Sequence, residues 1–300
     1  MGEGGRQTGG AALTVGIVTD SACSLPASLV ESGSLKIVPM WVNVGGQEYR
    51  DGELALAEVV ARLGDGVSTS GPAPGDFVAA CEAADTGEGV AVLTVSRRMS
   101  SCYEAAHLAA QLLEGEREVA VVDTGAAAGS EGLVVLAASR AAQEGRSLRD
   151  VVAAAKRAAR KARLVATLPS LEHLARGGRV PGAAAWGAKW LGLHPLFEFE
   201  DGKARPLRPA RSARLAYGHI LEAFYRDLAR ERSTPGPLAV HVAALHAVDE
   251  AVARDLLAQV SARTELATAF IGSFSPVMVA HTGPGLVGLA WWLERDKPSP

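Results

Sequence analysis

The strongest constraint on this chain is a regular alternation of short apolar runs with longer segments of helical periodicity. The first run, Leu13-Thr14-Val15-Gly16-Ile17-Val18, ends at the turn-forming Thr19-Asp20-Ser21. Further runs fall at 35–44, 90–95, 119–122, 164–167, 238–242, 268–271 and 277–280. Short apolar runs bounded by turn residues fit buried strands. Between them, segments 53–63, 101–113, 131–144, 148–162, 213–230 and 248–263 space their apolar residues three and four apart, the pattern of a helix with one apolar stripe. Strand alternating with helix predicts a parallel sheet with helices packed on its faces.

One segment breaks that rhythm. Pro195-Leu196-Phe197-Glu198-Phe199-Glu200 alternates apolar and charged residues up to Asp201-Gly202, which signals a hairpin. The chain's 300 residues also exceed the usual size of a single core. The expected organisation is therefore a disordered Gly-rich leader over 1–12, an N-terminal α/β lobe over 13–165, and a C-terminal α/β lobe over 166–293 that contains the hairpin. With 48% apolar, 21% charged and only 5% aromatic residues, the core is expected to be aliphatic.

Charge and cysteine usage narrow the function. A net charge of −3 provides no global basic field for nucleic acid. Locally, Lys203, Arg205, Arg208, Arg211 and Arg214 follow one another without an acidic residue, which suggests an anionic partner at that surface. Cys23, Cys81 and Cys102 form no CxxC pair and suit a reducing compartment. The start of the chain lacks the apolar stretch of a signal peptide, and segment 275–293 is broken by His281, Pro284 and several glycines. A soluble cytoplasmic protein without a transmembrane segment is expected. Phosphate-loop, HExxH and GxSxG motifs are absent, and His241 and His246 are poorly spaced for a metal, so no cofactor is expected.

Gly283-Pro284-Gly285-Leu286-Val287-Gly288 matches the GxGxxG dinucleotide pattern. A Rossmann unit must continue through a helix to a second strand, with an acidic residue about twenty positions on. Twelve residues follow Gly288, so dinucleotide binding is rejected. The remaining expectation is a tight turn that opens a helix, whose free N–H groups favour an anion, with His281 and Thr282 beside it. Thr69-Ser70-Gly71-Pro72 leads into a helix, where the hydroxyls either cap it or orient a ligand. Ser96-Arg97-Arg98-Met99-Ser100-Ser101-Cys102 follows a strand, at the edge where open α/β sheets bind ligands, although a helix cap explains its serines equally well. Arg176-Gly177-Gly178-Arg179 reads as a helix C-cap between two arginines that are either solvated or phosphate-facing.

These pieces, Asp20-Ser21, the 69–77 loop, the 96–105 segment, Gly177-Gly178-Arg179 and His281–Gly285, occur in the order seen in the DegV family. The sequence resembles that family from about Leu13 to Trp292. The resemblance implies a two-lobed protein enclosing one long-chain fatty acid between its lobes, not catalytic alone. It would act as the binding subunit of a bacterial fatty acid kinase. It would present the acyl carboxylate to a separate ATP-binding kinase subunit, and the acyl phosphate would pass to an acyltransferase for phospholipid synthesis. By the same resemblance Thr69, Ser100 and His281 hold the carboxylate, with Ser70, Ser101, Cys102, Thr282 and Gly283 nearby, while Arg179, Arg211 and Arg214 face the partner's phosphates. An imidazole near its reference pKa of about 6.5 is expected to adjust its charge as carboxylate becomes acyl phosphate. Three positions depart from the family's motifs: Gly71 replaces Gln, Ser101-Cys102 replaces Gly-Thr, and His194 stands where Lys is common before Pro195. Two other function classes stand beside this one. One is a self-sufficient hydrolase or transferase acting on a small anion, with His281 as base and Ser100 nearby. The other is a regulatory binding module.

Overall fold

The computed structural model describes residues 14–30, 35–180, 182 and 192–295. The leader expected over 1–12 lies outside these residues. The first sheet is built as the apolar runs predict. Strand β1 (Gly16–Asp20) lies between β2 (Leu35–Val38) and β6 (Val90–Thr94), with β7 (Val119–Asp123) beyond, and all four are parallel. β1 and β6 are buried at every position, as continuous apolar runs with helices on both faces require. Run 35–44 is two strands rather than one. After Pro39-Met40 the chain continues as β3 (Trp41–Val44), which joins β4 (Gln47–Arg50) and β5 (Ser68–Ser70) in a small antiparallel sheet.

The second sheet has six strands in the order β10-β9-β8-β13-β11-β12. These are β8 (Arg163–Thr167), β9 (His194–Glu200), β10 (Lys203–Ala210), β11 (Leu238–His246), β12 (Thr268–Ser273) and β13 (Val287–Arg295). Only β11 and β12 pair in parallel. The predicted hairpin is β9–β10, turning at Asp201-Gly202 with φ of 50° and 70°, the left-handed pair a two-residue turn demands.

Ten described helices connect the strands: α1 (Ala27–Val30), α2 (Leu56–Ala61), α3 (Pro74–Ala84), α4 (Cys102–Leu112), α5 (Ala128–Gln143), α6 (Leu148–Ala159), α7 (Glu172–Gly177), α8 (Ala213–Arg232), α9 (Glu250–Ser261) and α10 (Pro276–Thr282). α8 and α9 cover one face of the second sheet, where Ile220, Phe224 and Leu256 are buried and Phe224 meets Trp291 edge to face. Run 277–280, expected to be a strand, lies instead in α10. Pro276 sits at the first helical position, where its missing N–H costs nothing. Gly283-Pro284-Gly285 therefore ends a helix and leads into β13; it does not open one. Gly283 has φ 71°, a conformation that stops the helix.

α5 holds the two large sheets together. Twelve of its sixteen residues are buried, so it has no wet face to spare and must be covered from both sides. It packs on β1 and on β11 and β13. Two glycines allow the approach. A Cβ on Gly129 would lie 2.7 Å from Leu245 Cδ2 and 2.8 Å from Ala243 Cβ, and one on Gly132 would lie 2.6 Å from the Cys23 carbonyl oxygen. Gly129→Ala is therefore expected to cost about 1–3 kcal/mol through overpacking. Gly218→Ala, in α8 with open space around it, is expected to stabilise by roughly 0.5–1 kcal/mol. Urea midpoints of the two variants test the pair, and equal shifts would show that α5 is not closely packed.

Candidate functional site

The carboxyl ends of β1 and β6 point toward α7 and α10, and a cavity of about 360 Å³ lies between them. Its polar wall carries Thr69 and Ser70 from β5, Ser100 and Ser101 from the turn after β6, and His281 and Thr282 from the end of α10. Its apolar wall carries Ala22, Met40, Val95, Met99, Leu174, Val277 and Met278. A mostly apolar cleft of a few hundred Å³ with a few converging polar groups has the form of a small-molecule site.

Local sequence explains how each polar group arrives. Thr69 stands on β5, paired opposite Val42, rather than in the loop that its neighbours suggest. Ser100 lies just before α4, in the turn that Ser96 closes by accepting the Met99 and Ser100 N–H groups on its carbonyl. His281 sits in the last turn of α10. That helix is anchored by Asp51, whose Oδ1 accepts the Val277 N–H at 3.1 Å and whose Oδ2 accepts the Ser21 hydroxyl at 2.6 Å. Asp51 thus ties the helix bearing His281 to the turn after β1. Two glycines let α7 and its neighbourhood close on this helix. A Cβ on Gly177 would lie 2.9 Å from His281 Nδ1, and one on Gly283 would lie 2.4 Å from His173 Cδ2.

Thr69 Oγ1 and His281 Nε2 are 2.7 Å apart, a full hydrogen bond between residues 212 positions apart in sequence. Ser100 Oγ lies 3.1 Å from Cys102 Sγ and accepts the Cys102 N–H at 3.4 Å. The structure therefore brings Thr69, Ser100 and His281 to one cavity, with Ser70, Ser101 and Thr282 on its wall, Cys102 behind Ser100 and Gly283 beyond Thr282. Arg179 lines the cavity and donates to the Gly177 carbonyl at 2.7 Å. Arg211 and Arg214 do not line it; both are exposed, before and within the first turn of α8. His281 and Ser100 are not hydrogen-bonded to each other; His281 Nε2 is paired with Thr69. Among the described residues no three of His, Cys, Asp and Glu converge as a metal site.

The imidazole differs from the sequence expectation. Burial, helped by the positive charge of Arg179, pushes its pKa down from 6.5 to about 4, so His281 is neutral near pH 7 and cannot serve there as an adjustable charge. Two further carboxyls sit behind the site: Asp20, from the Asp20-Ser21 piece, and Glu131, which no motif announces. Asp20 closes β1, with Oδ1 accepting the Ala22 N–H at 3.0 Å and Oδ2 the Val95 N–H at 2.8 Å. Glu131, on α5, accepts the Thr19 hydroxyl at 3.3 Å. Glu131 reads in sequence as an ordinary first-turn acid, and its full burial has no local signal.

Residues 14–294 match the family described as "Uncharacterised protein, DegV family". A DegV domain-containing protein of Mycobacterium tuberculosis is 33% identical over 291 residues, which cover 96% of this chain and 100% of the relative. The chain belongs to the DegV family. Among solved DegV structures, one from Thermus thermophilus described as binding fatty acid shares 32% identity at a TM-score of 0.84, covering 93% of this chain and 99% of that one. One from Thermotoga maritima, described as revealing a fatty acid binding function, shares 25% identity at 0.78, covering 94% and 100%. No helix among the described residues is long and apolar enough to cross a membrane.

Gly71 and Ser101, both singled out in the sequence, meet in the fold. A Cβ on Gly71 would lie 2.6 Å from Ser101 Oγ. A side chain at 71 would displace the Ser101 hydroxyl, which is exposed and free to rotate. Gly71→Gln alone is expected to lower stability by no more than about 1 kcal/mol, and Ser101→Gly in the same chain to recover that loss. Additive melting shifts would contradict the compensation.

The neutral histidine makes a second prediction. Between pH 6.5 and about 4 the unfolded imidazole binds a proton that the folded one does not, so His281 removes stability as pH falls through this window. Asp20 acts in the opposite direction: its folded pKa is raised from 3.8 to about 6, so its contribution shrinks as pH rises through that range. Comparing the parent with His281→Gln cancels Asp20. The parent is expected to lose up to about 3 kcal/mol more than the variant between pH 6.5 and 4 in urea unfolding.

Proposed function

We propose that this chain is a fatty-acid-binding carrier that presents a bound long-chain acyl carboxylate to a separate kinase subunit. The observation that carries the reading is the Thr69–His281 hydrogen bond at the polar end of an otherwise apolar cavity, with Ser100 beside it. A carboxylate removed from water must recover its hydrogen bonds, and hydroxyl and imidazole donors suit that task. With its proton on Nε2, neutral His281 donates to Thr69, which frees the Thr69 hydroxyl to donate to the ligand. Ser100 supplies the second hydroxyl. The acyl chain lies along Met40, Met99, Leu174, Val277 and Met278, between an N-terminal lobe (13–165) and a C-terminal lobe (166–293). Methionines suit such a wall because they adapt to a flexible chain. Fatty acid binding described for the Thermus and Thermotoga DegV proteins supports the ligand class.

In this reading the phosphoryl chemistry belongs to an ATP-binding partner, and a downstream acyltransferase uses the acyl phosphate, all in the cytoplasm. Arg179 at the cavity and the exposed Arg211 and Arg214 then meet the partner's phosphates. Cation clusters of this kind stabilise transferring phosphoryl groups.

Native mass spectrometry of the purified protein is expected to find one fatty acid per chain, released by organic extraction. Thr69→Val and His281→Ala are each expected to weaken oleate binding about tenfold or more without loss of fold. Folded protein that is empty and takes up no oleate would overturn the reading.

A further inference from the structure

The carboxyls behind Ser100 have no task in the binding scheme above. Asp20 and Glu131 are both fully buried and close enough to interact. Glu131 Oε1 takes the Thr19 hydroxyl, whereas Oε2 is sealed from solvent and meets no donor. Among the described residues no Lys or Arg forms an ion pair with either carboxyl. The titratable groups that act on the pair are Cys23, Cys102 and Asp123, none of them a cation, and Arg179 and His281 lie across the cavity. Two adjacent carboxyls in a dry core cannot both be ionised. Asp20, with two backbone N–H donors, is the better anion. Glu131, whose Oε2 meets no donor, is therefore the carboxyl that keeps its proton. Asp20 also interacts with the Cys102 thiol, and Cys102 Sγ lies 3.1 Å from Ser100 Oγ on the cavity wall.

This row, Asp20–Cys102–Ser100–cavity, has an anion at one end when empty. A carboxylate in the cavity puts a second anion at the other end. The thiol then donates to Asp20 and the hydroxyl to the ligand, so no proton lies between sulfur and oxygen. One added proton on Asp20 repairs this. Asp20 donates to the sulfur, the thiol to Ser100, the Ser100 hydroxyl to the ligand, and the second buried charge is neutralised.

We propose that Asp20, backed by protonated Glu131, takes up one proton through Ser100 and Cys102 when an anionic carboxylate occupies the cavity. The proton comes from solvent or from a ligand that enters as the neutral acid. In the second case the ligand's O–H bond breaks and an Asp20 O–H bond forms, each intermediate atom passing on one proton. Burial already holds Asp20 up at about 6, so it is ionised near pH 7 and a modest further rise protonates it.

The proposal rests on the carboxylate reading of the cavity, and its test separates the two. Decanoate binding to the full-length protein at pH 7 is measured calorimetrically in buffers of different ionisation heat. The parent is expected to take up between half a proton and one proton per decanoate, and Cys102→Ala less than half the parent's value. Infrared difference spectra with carboxyl-labelled decanoate are expected to show a protein carboxyl newly protonated on binding. In the empty protein Glu131→Gln is expected to remove a protonated-carboxyl band while leaving the fold intact. Decanoate binding with no proton uptake and no new carboxyl band overturns this proposal alone. Absence of any decanoate binding overturns the carboxylate reading and this proposal with it.

Discussion

Everything in this molecule depends on the burial of α5 between two sheets. A helix that is apolar on only one side can sit on a surface, but α5 has lost that option, since its residues are small or aliphatic nearly all round. Gly129 and Gly132 remove the side chains that would hold it away from β11 and from the turn after β1. Small side chains thus convert two separately plausible sheets into a single packed unit. The same helix begins at the cavity, where Ala127 forms part of the wall, and carries Glu131 beneath it.

The cavity is a product of that packing and belongs to neither sheet alone. Its hydroxyls come from β5 of the small sheet, from the turn after β6 and from the end of α10, and its imidazole comes from that same helix between β12 and β13. Asp51 is the tie between these parts, bonding Ser21 on one side and the first turn of α10 on the other. Burial pushes its carboxyl above the usual range while those bonds oppose the shift. Such a contact is structural in itself and sets the position of a functional group 230 residues later in the chain.

Much of this was legible in the sequence, for identifiable reasons. Runs such as 90–95 and 119–122 read as strands because valines dominate them and turn residues bound them. Asp201-Gly202 specifies its turn through φ alone. Run 277–280 misleads because four consecutive apolar residues look alike in a strand and in a buried helical turn; Pro276, just before it, was the signal that decides. β4 and β5 were hidden, and β3 was merged with β2 into one run, because short, half-exposed strands are held by pairing rather than by pattern. Thr69, Ser100 and His281 could be nominated through resemblance, but the 2.7 Å contact between the first and the last could not. Asp20 and Glu131 were invisible as a pair because their meaning lies in mutual burial, which no local spacing encodes.

The bond between Thr69 and His281 has a consequence for how the chain matures. It joins the third strand of a small N-terminal sheet to a helix close to the last strand, so it cannot form until nearly every element is in place. Contacts of such long sequence separation are late and entropically costly to close. A ligand gripping both residues acts as a latch between early and late parts of the chain. By mass action, at a hundred times its dissociation constant it adds about 2.7 kcal/mol to the stability of the assembled state. Possession of cargo would then also be a certificate of complete folding, and a chain that has lost its grip on one half would be unable to retain the other half's ligand.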